Sequence, residues 1–298
     1  MAGILADVSN DLAATVEQAG QAVVRVEARR RMPASGVIWS ADGVIVTSNH
    51  GVERDDNITI GLANGDAVSA SVIGRDPTTD IAVLRAQGGG LTAGNWVETN
   101  GLKVGHLALA LGRPGRSIQA TLGVVSALGE SWRTMAGGHV DRYLQTDVVM
   151  YPGFSGGPLV AADGGVLALN SSALSRGVTV SLPTATIRRV VEALVAHGHV
   201  RRGFLGIKAQ PAQLPAALAQ ETGQETGLLL ASVEPGSPAE QSGLLLGDTL
   251  ITFDGEAVRH MDDLLALLGS ERVGRGVPAR IVRGGQLTTV TVTVGEHS

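Results

Sequence analysis

The amino-acid sequence predicts a mainly β protein, with two β-barrels side by side followed by a small, independent α/β module. From Gln21 onward, short stretches rich in β-branched residues, such as AVVRVEAR, alternate with turn residues. A second set of such strands runs over residues 102–182, and short, regularly spaced strands are typical of barrels and sandwiches. Residues 203–298 follow a different pattern, in which strands flank a helix at about residues 261–269.

Turn and helix signals divide the chain further. Asp42-Gly43 and Asn64-Gly65 predict two-residue hairpin loops, because both dipeptides accept a positive φ at little cost. A weak apolar repeat predicts a helix over residues 7–20. A stronger apolar stripe predicts a second helix, with Thr184 as its N-cap and a stop at Gly198.

We therefore expect three parts in the chain. Residues 1–20 form a lead-in segment, residues 21–200 form the double-barrel domain with its final helix, and residues 203–298 form the α/β module. A chain of 298 residues is long enough for two domains with sizeable cores.

The composition excludes several classes of protein. Hydrophobic residues make up 44% of the chain and charged residues 17%, as in an ordinary folded protein. The net charge is −5 and the longest basic run is Arg29-Arg30-Arg31, so nucleic-acid binding has little support. The chain has no cysteine, which excludes disulfides and thiol chemistry. No metal-binding or nucleotide-binding motif occurs, so no cofactor is expected.

The first twenty residues bear on the location of the protein. MAGILADVSNDLAATVEQAG lacks a basic start and a continuous apolar stretch, so it does not resemble a signal peptide. No apolar run approaches the roughly 20 residues needed to span a bilayer. These features predict a cytoplasmic protein without a membrane span, or a periplasmic one if an exported precursor has been trimmed.

The stretch YPGFSGGP, residues 151–158, fits two catalytic patterns. Gly153-x-Ser155-x-Gly157 has the spacing of the nucleophile elbow of α/β-hydrolases, which needs a helix after the serine and a histidine further downstream. Here Pro158 and a strand–turn–strand pattern follow, and the bases with catalytic surroundings lie upstream. The elbow interpretation therefore fails. Two interpretations remain: Ser155-Gly156-Gly157-Pro158 is the nucleophile loop of a trypsin-like protease, or Ser155 is only a turn serine between glycines.

A histidine and an aspartate upstream complete the candidate triad. His50 ends one apolar strand, and Asp80 stands at the start of another. The order His50, Asp80, Ser155 is that of chymotrypsin, with spacings of 80 − 50 = 30 and 155 − 80 = 75 residues. The first barrel would carry the histidine and the aspartate, and the second barrel the serine. Asp76 is the competing carboxylate, but Pro77 after it favours a role in a turn.

These motifs together resemble those of the bacterial HtrA/Deg-type serine proteases, in which a trypsin-like double β-barrel is followed by a PDZ domain. The resemblance extends from about residue 21 to the end of the chain, and all the motifs stand in the family's order. The stretches that carry it are TSNH (47–50), DIAVL (80–84), GVVSAL (123–128), QTD (145–147), GSPAEQSGL (236–244) and GDTLITFDG (247–255).

The resemblance implies a role for each residue of the triad. Ser155 would be the nucleophile, His50 the general base that takes its proton, and Asp80 the carboxylate that orients the imidazole. The backbone N–H groups of Gly153 and Ser155 would form the oxyanion hole. Phe154 stands where the family normally has asparagine, and a bulky apolar side chain there could favour an inactive loop or cover part of the cleft.

The same resemblance indicates which residues would line the S1 pocket. They are Val149, Met150, Ala173 and Val180. None of these residues is charged, so we expect cleavage after small or medium aliphatic residues such as valine, alanine or leucine.

A stretch at the start of the α/β module, Phe204-Leu205-Gly206-Ile207, resembles the carboxylate-binding loop of HtrA-type PDZ domains. Backbone N–H groups of this loop would bind the C-terminus of a peptide. The peptide would add as a strand beside a helix that contains Leu264, Leu265 and Leu268.

Two functions remain as alternatives. The first is an ATP-independent serine endopeptidase that cleaves unfolded or damaged proteins, and the intact triad favours it. The second is a proteolytically idle, PDZ-containing chaperone or scaffold, and Phe154 favours it.

Family members form trimers through an aromatic N-terminal segment, but residues 1–20 contain no aromatic residue. The short loop at residues 173–177 predicts weak coupling between PDZ ligands and the protease.

Overall fold

The structure is a computed structural model that describes residues 2–30, 32–175 and 177–296. Arg31 of the basic run and Arg176 of the short loop lie outside these described residues.

Two compact units make up the chain, Met1–Val200 and Arg201–Ser298. The first unit holds two closed barrels of six strands each, and the second holds a separate sheet with short helices. Each unit has its own buried apolar core. The predicted fold class, mainly β with a double barrel and a small α/β module, is confirmed.

The first unit opens with helix α1 (Ala2–Gly20), which begins earlier than the apolar repeat predicts. Its C-terminal half packs against the second barrel through Leu12 and Val16. Its first turns expose Ile4 and Leu5. The predicted helix over residues 7–20 thus includes the packed half, and the structure adds residues 2–6 before it.

Six antiparallel strands close the first barrel. They are β1 (Val23–Glu27), β2 (Ala34–Ile38), β3 (Val44–Ser48), β4 (Ile58–Gly61), β5 (Ala67–Asp76) and β6 (Ile81–Ala86). Their order around the barrel is β1-β2-β3-β6-β5-β4. The predicted turns are present, with φ of 98° at Gly43 and 93° at Gly65. Their predicted two-residue length is wrong, because the strands end early and the loops span residues 39–43 and 62–66.

The second half of the first unit holds eight strands. They are β7 (Leu107–Gly112), β8 (Gln119–Gly129), β9 (Trp132–Arg133), β10 (His139–Val140), β11 (Tyr143–Thr146), β12 (Pro158–Ala161), β13 (Val166–Asn170) and β14 (Thr179–Pro183). Strands β9 and β10 pair with each other, and the other six close the second barrel in the order β11-β14-β13-β12-β7-β8.

Helix α2 (Thr184–His197) follows the second barrel and shares one buried core with residues of both barrels. It ends as predicted at Gly198, which has a φ of 77°. The predicted N-cap is wrong, because Pro183 occupies that position. The Thr184 hydroxyl donates instead to the carbonyl oxygen of Val166 over 3.1 Å.

The second unit is built on a sheet with β16 at one edge and β21 at the other. Its elements are β15 (Gly203–Phe204), β16 (Ile207–Gln213), α3 (Ala216–Thr222), β17 (Thr226–Val233), α4 (Pro238–Gln241), β18 (Thr249–Phe253), β19 (Glu256–Ala257), α5 (Met261–Leu267), β20 (Gly276–Arg283), β21 (Gln286–Thr293) and β22 (Gly295–Glu296). The strand order is β16-β17-β18-β20-β21, with β19 paired to β18 and β15 to β22. Helix α5 is the helix predicted near residues 261–269, and it ends at Leu267.

Candidate active site

Two paired strands bring His50 and Asp80 together. Strands β3 and β6 pair antiparallel with Ser48 opposite Ile81, so the end of β3 lies beside the start of β6. His50 lies in a 3-10 turn directly after β3, and Asp80 lies directly before β6. The Nδ1 atom of His50 is 2.8 Å from Asp80 Oδ2, and the backbone N–H of His50 donates to Asp80 Oδ1 over 2.9 Å.

Asp80 is held in a nearly buried position. The residue is 6% exposed, and its φ of 59° lies in a region that costs free energy for a residue with a side chain. The N–H of Asn49 donates to its carbonyl oxygen over 2.9 Å, and the Ser171 hydroxyl donates to Oδ2 over 2.5 Å. Asp76, the competing carboxylate, instead accepts hydrogen bonds from the N–H and hydroxyl of Thr78 in its own turn.

Ser155 lies in a tight loop between β11 and β12. The N–H of Phe154 donates to the carbonyl oxygen of Tyr151 over 3.0 Å, and Gly153 has a φ of 89°. Residues 151–154 therefore form a type II turn, which needs a positive φ at its third position. A Cβ on Gly153 would also collide with the neighbouring loop, so both the backbone and the available space require glycine.

The hydroxyl of Ser155 bonds to Ser172. Its Oγ lies 3.0 Å from Ser172 Oγ and accepts the N–H of Ser172 over 3.3 Å. Among the described residues, no hydrogen bond joins it to His50. Ser171, the preceding residue, bonds to Asp80, so one two-residue segment contacts both the serine and the aspartate.

Two N–H groups of this loop, those of Gly153 and Ser155, donate no hydrogen bond to the part of the chain that the structure describes. Their neighbours are engaged, since the N–H of Gly156 donates to the carbonyl oxygen of Asn170 over 2.8 Å. Two available N–H groups beside a nucleophile are the arrangement that an oxyanion hole requires.

The side chain of Phe154 lies in the core of the second barrel. It is fully buried, packs with Leu144 and Leu159, and meets the ring of Tyr151 edge to face, with centroids 5.7 Å apart. Gly112 leaves room for the ring, because a Cβ there would lie 2.5 Å from Phe154 Cδ1. The side chain therefore does not cover the cleft.

The residues predicted to line the S1 pocket differ widely in exposure. Val149 is 54% exposed and Ala173 is also exposed. Val180 is 1% exposed, and Met150 is partly buried against the barrel core. Two of the four thus face inward and two lie at the surface, and the composition of the pocket stays a prediction.

Sequence reasoning missed three serines around the site, Ser35, Ser171 and Ser172. The last two follow β13 and contact two residues of the predicted triad. Ser35 lies in β2, whose residues are all buried, and donates to the carbonyl oxygen of Gly153 over 2.7 Å. A lone hydroxyl in a buried strand is a signal that could have identified Ser35, whereas serines in loops carry no such signal.

The predicted carboxylate loop joins two strands, with Phe204 at the end of β15 and Ile207 at the start of the edge strand β16. Gly206 has a φ of 75°, and its carbonyl oxygen accepts the N–H of Glu234 over 2.8 Å. Leu205 is buried, as is Leu264 of α5. Leu265, which was predicted to face a bound peptide, is 37% exposed. The loop thus begins a strand with one unpaired edge, beside α5.

Comparison with known proteins defines the class of each unit. Residues 34–169 match the trypsin-like peptidase domain family, and residues 203–294 match the PDZ domain family. The chain is 33% identical over 276 residues to a probable periplasmic serine endoprotease, DegP-like, of Chlamydia muridarum. The aligned region covers 91% of this chain and 55% of the relative. A relative of the same description from Halomonas elongata is 35% identical over 273 residues, with 90% and 57% covered.

Solved structures agree with this classification. The HtrA-type protease AlgW with decapeptide has a TM-score of 0.80 and 28% identity, covering 96% of this chain and 99% of that one. The serine endoprotease from Yersinia pestis has a TM-score of 0.78 and 28% identity, covering 96% and 98%. The chain belongs to the HtrA/DegP-like family of serine endoproteases, which confirms the resemblance seen in the sequence. It spans a little more than half the length of the curated relatives cited above.

The predicted cytoplasmic location is wrong. The relatives from Chlamydia muridarum, Halomonas elongata and Marinomonas are all named periplasmic, which points to the periplasm. The sequence argument failed because the first residues of a chain do not by themselves reveal its compartment. Among the helices described here, none is both long and apolar enough to cross a membrane.

Proposed function

We propose that this chain is a serine endopeptidase in which Ser155 is the nucleophile, His50 the general base and Asp80 the residue that orients the base. The observation that carries the proposal is the His50–Asp80 pair, 2.8 Å between Nδ1 and Oδ2, at a site that also contains a glycine-flanked serine. Membership in a family of serine endoproteases supports it.

Asp80 determines which nitrogen of His50 can act as a base. An ionised carboxylate only accepts hydrogen bonds, so Nδ1 carries the proton and Nε2 carries the lone pair. When Ser155 Oγ attacks a peptide carbonyl carbon, its proton passes to Nε2, and Asp80 stabilises the imidazolium. The proton then passes to the leaving amine, and water releases the acyl group by the same steps in reverse order.

The N–H groups of Gly153 and Ser155 would stabilise the oxyanion that forms during this attack. Both are free of protein acceptors within the described residues, so neither has to break a bond first. Donors that are already in place are effective because they need no reorganisation when charge develops.

The contact between Ser155 and Ser172 favours a second candidate, a proteolytically idle peptide-binding protein. The Ser155 hydroxyl must exchange its bond to Ser172 for one to His50 before reaction. If this exchange does not occur, the chain binds polypeptides without cleaving them.

A fluorophosphonate probe separates the two candidates, because it labels only an activated serine. We expect labelling of the wild type and none of Ser155→Ala or His50→Ala. Casein should be digested by the wild type alone. Absence of labelling in a folded wild-type protein would favour the idle candidate.

The proposed substrates are unfolded or damaged polypeptides, cut after small or medium aliphatic residues. The uncharged character of Val149, Met150, Ala173 and Val180 supports this specificity. Peptides that differ only in valine or arginine at the scissile position test it, since faster cleavage after arginine contradicts an uncharged pocket.

The PDZ domain fits peptide binding, and we propose that it binds peptide C-termini at the edge of β16. Strand β16 pairs only with β17 among the described strands, so its outer edge can accept a peptide as an added strand. The solved structure of the HtrA-type protease AlgW, to which this chain is similar, is that of the protease with a decapeptide. A fluorescent peptide with a free C-terminus should bind, whereas its C-terminal amide should bind much more weakly.

A further inference from the structure

We propose that Ser35 is a positioning residue that fixes the nucleophile loop, residues 151–157, to strand β3, which leads to His50. The proposal rests on the proposed function, because it gives Ser35 a part in the same reaction. Ser35 acts through the backbone of Gly153 and Ser155 and not on the reacting atoms.

Two hydrogen bonds join Ser35 to the nucleophile loop. Its Oγ donates to the carbonyl oxygen of Gly153 over 2.7 Å, and its N–H donates to the carbonyl oxygen of Ser155 over 3.1 Å. Because a peptide unit is planar, each held carbonyl also fixes the orientation of the N–H that follows it. Ser35 therefore holds two peptide planes, that between Gly153 and Phe154 and that between Ser155 and Gly156. These two planes flank the peptide unit that joins Phe154 to Ser155.

Ser35 is also bonded to the strand that leads to His50. Strands β2 and β3 pair with Gly36 opposite Thr47, and Thr47 Oγ1 donates to the carbonyl oxygen of Ser35 over 2.6 Å. Thr47 lies 50 − 47 = 3 residues before His50. The base and the nucleophile stand on different barrels, so this short series of bonds sets the spacing between them.

The hydroxyl of Ser35 is buried away from water, and it is both a hydrogen-bond donor and an acceptor. Ser35 is 0% exposed, and its Oγ accepts the N–H of Arg113 over 2.8 Å while donating to Gly153. The guanidinium of Arg113 donates to the carbonyl oxygens of Gly20 and Val23, and its burial lowers the pKa of that group. Arg113, whose N–H donates to the Ser35 hydroxyl, is thus itself held in place by hydrogen bonds.

The test compares Ser35→Ala with Thr184→Val in the full chain. Thr184 is a matched control, because it is also 0% exposed and its hydroxyl also donates to backbone carbonyl oxygens, those of Val166 and Leu167. It lies at the start of α2 and makes no contact with the nucleophile loop in the hydrogen bonds described above. Assays are run well below the unfolding temperature of each variant.

The measurements are kcat and KM on a P1-valine peptide and the rate of labelling by a fluorophosphonate probe. For Ser35→Ala we expect kcat and the labelling rate to fall about 10- to 100-fold with KM nearly unchanged, since a shift of about 1 Å in a reacting group can cost about 10²-fold in rate. Thr184→Val should unfold at a lower temperature than the wild type and keep its kcat.

A kcat of Ser35→Ala equal to that of the wild type overturns the proposal. An equal loss of kcat in Ser35→Ala and Thr184→Val overturns it too, because that result indicates general destabilisation. If Ser35→Ala does not fold, Thr47→Val replaces it: a lower kcat at constant KM supports the proposal and an unchanged kcat contradicts it. If the folded wild type is not labelled, the proposed function fails first, and this proposal fails with it.

Discussion

Two consecutive serines contact two different residues of the proposed catalytic site. Ser171 donates to the carboxylate of Asp80 and holds it beside His50, whereas Ser172 contacts the hydroxyl of Ser155. The first contact keeps in place the charge that stabilises the imidazolium. The second competes with the imidazole for the nucleophile, so the reactivity of Ser155 depends on which partner its hydroxyl prefers.

Replacing Ser172 by alanine should therefore speed the reaction of Ser155 with a fluorophosphonate probe. The change removes the bond between the two Oγ atoms, 3.0 Å apart, and keeps the N–H of residue 172. A neutral hydrogen bond contributes about 0.5–1.5 kcal/mol, so the labelling rate should rise about 2- to 10-fold. Ser175→Ala, in the same loop, is the control and should leave the rate unchanged. A slower rate in Ser172→Ala would mean that Ser172 assists the nucleophile.

At the level of single elements, the sequence identified the strands and the ends of strands that carry chemistry. Strands β3 (VIVTS) and β6 (IAVLRA) consist mostly of buried apolar residues, so the polar residues that flank them, His50 after β3 and Asp80 before β6, are easily recognised. Pairing of β3 with β6 brings together residues that are distant in the chain, and only the resemblance to a known family indicated it. Loop lengths were predicted poorly, because the ends of strands depend on packing rather than on local residue preferences.

The position of Phe154 shows the same limit. An apolar residue beside a nucleophile can face either the cleft or the core, and the choice depends on the space left by a strand elsewhere in the chain. That space is left by Gly112 at the end of β7, opposite Gln119 of β8. The sequence gives no link between residues 112 and 154, so the burial of Phe154 had to come from the structure.

The pair Gly112 and Phe154 leads to a prediction about stability. Gly112→Ala should lower the free energy of unfolding by about 1–3 kcal/mol, because its Cβ would lie 2.5 Å from the ring. In the Phe154→Ala background the same change should cost much less, because the overlap is gone. Urea unfolding of the four proteins of this cycle measures the coupling. Gly101→Ala is the control, since its Cβ would meet no atom within 4 Å.

Equal costs of Gly112→Ala in the two backgrounds would contradict the overlap. Phe154→Ala alone should cost about 3–5 kcal/mol, as expected for a large aromatic side chain removed from a core. A much smaller cost would mean that the ring spends part of its time outside the barrel.

At the scale of the whole molecule, the proposed chemistry and the proposed peptide binding belong to units with separate cores. The segment after β13 bears on how a ligand of the second unit would affect the first. Ser171 and Ser172 bond to residues of the proposed triad, and Leu174 is 8% exposed. This segment already contacts the proposed active site, so we expect a ligand bound to the second unit to cause little further ordering of it.

A peptide ligand of the PDZ domain should therefore change catalysis only weakly. A ligand shifts a conformational equilibrium only by the difference in its affinity for the two states. Coupling between sites usually changes affinities about 5- to 150-fold, and we expect kcat/KM on a short P1-valine peptide to change by less than about 5-fold. The assay uses saturating free-carboxylate peptide, and the same peptide with an amidated C-terminus is the control. A many-fold activation that amidation abolishes would show that the active site is incompletely arranged without a ligand, contrary to the contact of Ser171 with Asp80 and the burial of Leu174.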